Sequence, residues 1–263
     1  MKMITGCKGF IGSHFQDKEE KYIGVEQFNA VHMIENLPIW NEIDEIIHMG
    51  AISSTVENDL NKLHFYNVEL TQRLFQKAIE YQIPVKYASS ASVYGNTIPR
   101  SNVINPLNYY AITKVQVDYW VKDNLDKFSN IQGFRFFNVY GDGEEMKGDQ
   151  ASPVSKFREQ AKMTGKIKIF EGSEECVRDF VCVDDVVDVV SNADNPSGIY
   201  DLGSGKAISF KEVAEIIAEK EGAEIEEIPF PDHLRNKYQY DTLSHMYWCD
   251  HKFKTVKEYV NNS

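Results

Sequence analysis

The chain has 263 residues, 42% of them hydrophobic, with 40 acidic against 28 basic side chains and a net charge of −12. That length allows one sizeable core, or a large domain with a small lobe, and the composition is that of a soluble globular protein. The acidic balance disfavours nucleic acid and anionic membrane as partners, and no apolar run approaches the ~20 residues of a membrane span. Cys7, Cys176, Cys182 and Cys249 are scattered without paired zinc-ligand spacing and read as reduced thiols. The amino terminus enters a strand directly, which leaves no room for a signal peptide, so a cytoplasmic protein is expected.

The first predicted strand, 1–5, runs into Gly6-Cys7-Lys8-Gly9-Phe10-Ile11-Gly12 and an apolar helix start. In such a run Gly6 permits the tight turn, Gly9 lets a pyrophosphate approach the backbone, and Gly12 allows close helix–strand packing. The helix start then offers unpaired N–H groups to phosphates. A second strand, 22–26, ends in Glu26, 20 residues beyond Gly6, the spacing of an acid that binds an adenosine ribose. Glu26 would accept from a 2′-hydroxyl and repel a 2′-phosphate, and Gln27, Phe28 and Asn29 supply no cation. NAD is therefore expected over NADP, with Lys8 the one local cation that could reverse the preference.

Further strands are predicted at 44–49, 84–89, 131–137 and about 198–202, with helices between most of them, including 66–81 and 107–126. This alternation predicts an α/β fold, a Rossmann-type doubly wound parallel sheet. Helix 107–126 carries Tyr110 and Lys114, four apart on one face. A cationic Lys114 would favour the Tyr110 phenolate, and Ser90 would offer a hydroxyl to the same substrate oxygen. After Tyr140-Gly141 the rhythm breaks. A polar loop, 142–152, leads to helix 153–164, and helix 209–221 joins the same lobe. The expected division is a dinucleotide-binding domain of 1–141 plus about 176–205, and a smaller, discontinuous substrate lobe of 142–175 and 206–263. The histidines show no ligand spacing, and His48 reads as a satisfied core residue. Glu144-Glu145 and Glu174-Glu175 read as solvated loop charges, and no metal is expected.

Together the glycine turn and the Tyr/Lys pair resemble the extended short-chain dehydrogenase/reductase family. The resemblance continues through His48-Met49-Gly50-Ala51-Ile52-Ser53-Ser54-Thr55, Tyr87-Ala88-Ser89-Ser90, Gly133 to Gly141, Lys147-Gly148, Phe170-Glu171-Gly172-Ser173, Arg178-Asp179-Phe180-Val181 and Ile228-Pro229-Phe230-Pro231-Asp232. Within the family it points to the sugar-nucleotide epimerases, in particular those acting at C6 of ADP-glycero-manno-heptose. Lys147-Gly148, Phe-Glu-Gly-Ser and Ile-Pro-Phe-Pro-Asp are the runs that look particular to heptose enzymes.

The resemblance implies transient oxidation of a carbinol to a ketone and return of hydride to the opposite face. It gives Tyr110 and Lys147 the roles of two opposed acid–base groups. Lys114 would bind the nicotinamide ribose and lower the Tyr110 pKa, and Ser90 would polarise the carbonyl. The cofactor would meet Gly6, Gly9, Phe10, Ile11, Gly12, Glu26, Gln27, Met49, Gly50, Ala51, Asn67, Lys114 and Val139. The nucleotide-diphosphate sugar would meet Ser53, Asn138, Asp149, Lys156, Phe170, Glu171, Gly172, Ser173, Arg178 and Tyr238. Lys147, Lys156, Arg178, Arg235 and Lys237 are candidates for its basic pocket. Arg178 can grip a diphosphate with two parallel hydrogen bonds, or pair with Asp179 or Asp184.

Two residues depart from the family pattern: Asp149 stands for Ser and Lys156 for His. Lys147 could neutralise the added carboxylate. The segment Gln27–Asp44 is also shorter than usual and lacks the Asp that holds the adenine amine. A homo-oligomer is expected. Dehydration, which needs Asp-Glu directly after the catalytic hydroxyl, is disfavoured by Ala91-Ser92. A UDP-hexose 4-epimerase, or another nucleotide-sugar epimerase or reductase, remains the nearer alternative, and a non-catalytic nucleotide-binding protein the more distant one.

Overall fold

The computed structural model describes residues 1–18, 21–97, 102–231 and 241–263; Arg235, Lys237 and Tyr238 lie outside them. The chain forms two compact units. The first comprises Met1–Val93, Pro106–Arg135 and Val190–Tyr200; the second comprises Tyr94–Asn105, Phe136–Val189 and Asp201–Ser263. In chain order the strands are β1 (Lys2–Thr5), β2 (Tyr22–Val25), β3 (Glu45–His48), β4 (Val85–Ser90), β5 (Ile131–Phe136), β6 (Asn138–Tyr140), β7 (Lys166–Phe170), β8 (Val177–Cys182), β9 (Gly198–Leu202), β10 (Ala207–Ser209) and β11 (Glu224–Ile228). Among the described residues no helix is long and apolar enough to cross a membrane.

The main sheet has the order β2-β1-β3-β4-β5-β9, and β1 to β4 pair in parallel. The chain passes from β1 to β2 on one side, then returns to place β3 on the other. The order therefore reverses between β1 and β3, which opens a crevice at their carboxyl ends. Among the described residues the sheet ends at β2, where a doubly wound sheet ordinarily carries another strand. The short connection explains this: it holds only helix Ala30–Asn36 and the turn Trp40–Glu42 before β3 begins.

Packing of this unit follows helical and strand periodicity. Helix Leu70–Tyr81 buries Leu70, Leu74, Phe75 and Ala78 along one stripe, against a core that includes Ile46, Val85, Tyr87 and Ile131. It is preceded by Leu60–Leu63 and by a π-helical turn, His64–Glu69, so helical structure starts six residues earlier than the apolar spacing predicts. Helix Tyr109–Lys122 is shorter than the predicted 107–126. Asn108 caps it, its Oδ1 accepting from Ala111 N at 2.9 Å.

That helix is tied to the sheet by a buried polar cluster. Asp118 accepts from the Tyr87 hydroxyl at 3.0 Å and from Arg135 Nε at 2.9 Å, linking the helix to β4 and β5.

In the second unit β10 pairs antiparallel with β8, which pairs in parallel with β6; β11 and β7 form a separate parallel pair. The segment expected to return to the dinucleotide domain is thus divided, with β8 in the second unit and Val190–Tyr200 in the first. Helices Pro153–Thr164, Phe210–Glu221 and Val256–Asn262 supply Val154, Phe157, Val213, Ile217 and Val256 to a core with Tyr140, Ile167 and Phe180.

Removing the Asp118 carboxylate strips Arg135 of its buried counter-charge. Asp118→Ala should lower unfolding free energy by about 3–5 kcal/mol, the usual cost of breaking a buried ion pair. Urea denaturation of the two proteins measures it, and a loss below 1 kcal/mol would contradict this role.

Candidate active site

The glycine turn sits at the crevice between β1 and β3. Gly6 has φ +64°, and a Cβ there would lie 2.7 Å from Gly50 Cα. A Cβ on Gly12 would lie 2.0 Å from the Gly6 carbonyl oxygen, so the helix start can approach the strand only with glycine here. Gly9 is the N-cap of Phe10–Gln16 and makes no side-chain capping bond. Phe10 is buried and Ile11 half-buried behind it. On β3's side the Thr5 hydroxyl accepts from Gly50 N at 3.0 Å, which holds Met49, Gly50 and Ala51 against the turn. Glu26 follows β2 and accepts from Lys8 N at 2.7 Å; Gln27 beside it is exposed.

His48 is the satisfied core residue expected. Nδ1 meets the Thr5 hydroxyl at 2.7 Å and Nε2 the Thr71 hydroxyl at 3.0 Å. Burial, with a smaller contribution from the Lys114 charge, pulls its pKa down to about 3. Asn67 lies in the π-helical turn. Its amide accepts from Ile52 N at 2.8 Å and donates to Ile52 O at 3.0 Å and to the Thr113 hydroxyl at 3.1 Å. It therefore joins the loop after β3 to helix Tyr109–Lys122. Ser53, next in that loop, is exposed.

Ser90, Tyr110 and Lys114 do converge in the first unit. Tyr110 hydrogen-bonds Ser90, whose Oγ also accepts from the Ser92 hydroxyl at 2.8 Å. Ser92 has no spacing that would single it out in the sequence. The Lys114 ammonium lies 5.8 Å from the Tyr110 ring centroid and donates to the Ala88 carbonyl at 2.7 Å. The expected tuning of Tyr110 by Lys114 is corrected here. Burial pushes the phenol above its ordinary pKa, and the opposing influence is the Ser90 hydrogen bond. Lys114 is itself brought down to about 8 by burial, which Asp118 only partly offsets.

The second unit assembles a different set. Glu144 is not a solvated loop charge; it is fully buried. It accepts from Ser152 N at 2.7 Å, from the Ser152 hydroxyl at 2.6 Å, and from Lys147 Nζ at 3.1 Å. Lys147 thus pairs with Glu144. Asp149 is exposed, and its carbonyl accepts from Lys156 Nζ at 2.7 Å. Glu145, Glu174 and Glu175 are exposed, as expected of solvated charges.

Asn138 opens β6 and Val139 is buried in it, opposite Phe180 and Val181 of β8. Arg178 of β8 is buried, donates to the Val177 carbonyl at 3.0 Å, and lies 5.4 Å from the Phe210 ring centroid. Asp179 accepts from Ser204 and Ser244, while Asp184 pairs with Lys254. The Phe170–Ser173 turn follows β7. The Phe170 ring centroid is 5.3 Å from that of Phe230, Glu171 N donates to Ile228 O at 2.8 Å, Gly172 takes φ +80°, and Ser173 is buried.

A family profile described as the NAD dependent epimerase/dehydratase family matches residues 3–200. The chain belongs to this family. It is an NAD-dependent enzyme of the epimerase type with the fold of the extended short-chain dehydrogenases. Its structure is similar to the ADP-L-glycero-D-manno-heptose-6-epimerase of Helicobacter pylori, with TM-score 0.84 and 26% identity over 99% of this chain and 93% of that one. It shares its fold with the UDP-N-acetylglucosamine 4-epimerase of Methanobrevibacter ruminantium (TM-score 0.82, 19% identity, 99% and 98% covered). The UDP-glucose 4-epimerase of Thermotoga maritima is alike in the same sense (TM-score 0.82, 20% identity, 98% and 97% covered).

The residues of this epimerase-family member fit a dinucleotide. The turn after β1 carries no Cβ at Gly6, Gly9 or Gly12, and the Gly9 side offers no capping group that would compete for the first N–H groups of the helix.

His48 sets a pH response. Its folded pKa lies below the ordinary 6.5, so between those values the unfolded chain binds more protons than the native one. The stability it contributes is complete above pH 6.5 and is lost as pH falls towards 3. From pH 7 to 5 the loss should be about 2 kcal/mol from this group. Imidazole NMR should show His48 neutral down to pH 4.5, and titration near 6.5 would contradict the buried network.

Proposed function

We propose that the chain is a sugar-nucleotide epimerase acting at C6 of an ADP-glycero-manno-heptose. The observation that carries this reading is Lys147, held beside Gly148 by the buried Glu144–Ser152 cluster. The likeness to the Helicobacter pylori heptose epimerase, at 26% identity over nearly both chains, supports the same substrate class. Arg178 grips the diphosphate, with Ser53, Asn138, Asp149, Lys156, Phe170, Glu171, Gly172 and Ser173 around the sugar nucleotide.

When bound, the nicotinamide supplies a reversible hydride acceptor for the carbinol carbon. The protein's own groups manage the hydroxyl proton. Because burial holds Tyr110 as a phenol, it serves as the proton donor to the keto intermediate on one face, with Ser90 on the same oxygen. Lys147 takes the hydroxyl proton of the other epimer as its hydride leaves, and in the reverse direction the two groups exchange roles. Lys114 holds the nicotinamide ribose beside Tyr110, and Met49, Gly50, Ala51, Asn67 and Val139 frame the cofactor.

Tyr110→Phe and Lys147→Met should each lower kcat by about 10² or more while the proteins stay folded and keep their cofactor. Near-normal turnover of Lys147→Met on ADP-heptose and UDP-hexose alike would remove the heptose assignment and leave a one-tyrosine 4-epimerase. In heavy water, product should carry no deuterium at the inverted carbon. Wash-in there would replace hydride cycling by simple deprotonation.

A further inference from the structure

Two donors of the glycine turn converge on one carboxylate oxygen. Lys8 N donates to Glu26 Oε1 at 2.7 Å, and the Cys7 thiol donates to the same oxygen at 3.1 Å. Cys7 is buried, and burial, reinforced by the hydrogen bond to Glu26, pushes the thiol up to about 11. It therefore keeps its proton at neutral pH and can act only as donor to the carboxylate.

The surroundings are shaped to this contact. A Cβ at Gly24, in the neighbouring strand β2, would lie 2.8 Å from the sulfur, so the strand leaves space for it. Gln16 Nε2 donates to the Cys7 carbonyl, and the Tyr22 hydroxyl donates to Gln16 Oε1 at 2.7 Å, which pins the turn from its other side. Glu26 is held at its main chain too, its N–H donating to Asn29 Oδ1 at 2.7 Å.

We infer that Cys7 is a positioning residue for cofactor selection: its thiol and the Lys8 amide fix Oε1 of Glu26, so that Oε2 faces the adenosine ribose. The inference rests on the reading of Glu26 as the ribose acceptor. A carboxylate held in this way needs no reorientation to accept from the 2′-hydroxyl of NAD. The same fixed charge stands against the 2′-phosphate of NADP. A small apolar residue at position 7 would leave Oε1 held by the Lys8 amide alone.

The test uses the full-length protein stripped of cofactor, with dissociation constants for NAD and NADP measured by calorimetry. The NAD-to-NADP ratio released from freshly purified protein gives a second readout. Cys7→Ala should weaken NAD about fivefold, the scale of one hydrogen bond, and narrow the preference for NAD by a similar factor. Cys7→Ser keeps a donor and should stay within about twofold of the parent. In a Glu26→Gln background, Cys7→Ala should change NAD affinity less than about twofold, since the coupled partner is already altered.

Unchanged affinity and preference in Cys7→Ala overturn the inference, even if its thermal stability drops. So does an effect that persists in full in the Glu26→Gln background, because the thiol would then act through the turn alone. If Glu26→Gln relaxes the preference while Cys7→Ala does not, only the role of the thiol falls. If Glu26→Gln itself leaves NAD binding and preference unchanged, the ribose assignment falls with it.

Discussion

The carboxylate of Asp118 holds the first unit in working order. It sits on helix Tyr109–Lys122 and takes one hydrogen bond from Tyr87 of β4 and another from Arg135 of β5. Its side chain is buried, and so are those it meets. In so dry a place an ion pair is stable only when its geometry satisfies both partners. Lys114 and Tyr110 lie one and two turns earlier on the same helix, so their heights above the sheet follow from where Asp118 is seated. The charge of Asp118 also raises the pKa of both residues. The group that fixes their position therefore shares in setting their protonation.

Burial is the dominant electrostatic influence throughout this unit. It keeps His48 neutral, brings Lys114 down to about 8, and holds Tyr110 as a phenol. A hydroxyl-lined imidazole is a sound way to support the crevice, because a neutral ring can satisfy Thr5 and Thr71 without placing a charge beside the dinucleotide turn. Thr5 in turn orients Gly50 N, so one buried network shapes both walls of the β1–β3 crevice.

Much of this was legible in the sequence because it depends on local pattern. The glycine spacing, the following acid Glu26, and the four-residue step from Tyr110 to Lys114 all express turn or helix geometry directly. What escaped depended on contacts between residues with no periodic relation. Glu144 beside Glu145 reads as a solvated pair; its burial comes from the Ser152 amide and hydroxyl eight residues on, brought back by a loop in which Gly148 takes φ +51°. Spacing places Lys114 on the face of Tyr110 but cannot reveal that its ammonium is committed to the Ala88 carbonyl. The early helix start was hidden for a similar reason. A π-helical turn breaks the 3.6-residue period on which the reading relied.

That turn also limits how the chain can change. A π-helical turn amounts to one extra residue inserted into an α-helix, so His64–Glu69 offsets the two helical segments it joins. Losing a single residue there would restore a regular helix and rotate everything before or after it by about 100°. If Leu74, Phe75 and Ala78 kept their places in the core, Asn67 would swing away from Ile52 and Thr113. If Asn67 kept its bonds, the apolar stripe would turn out of the core. Point substitutions along this helix are open to drift, whereas insertions and deletions within it are closed, because no one-residue length change satisfies the loop and the core together.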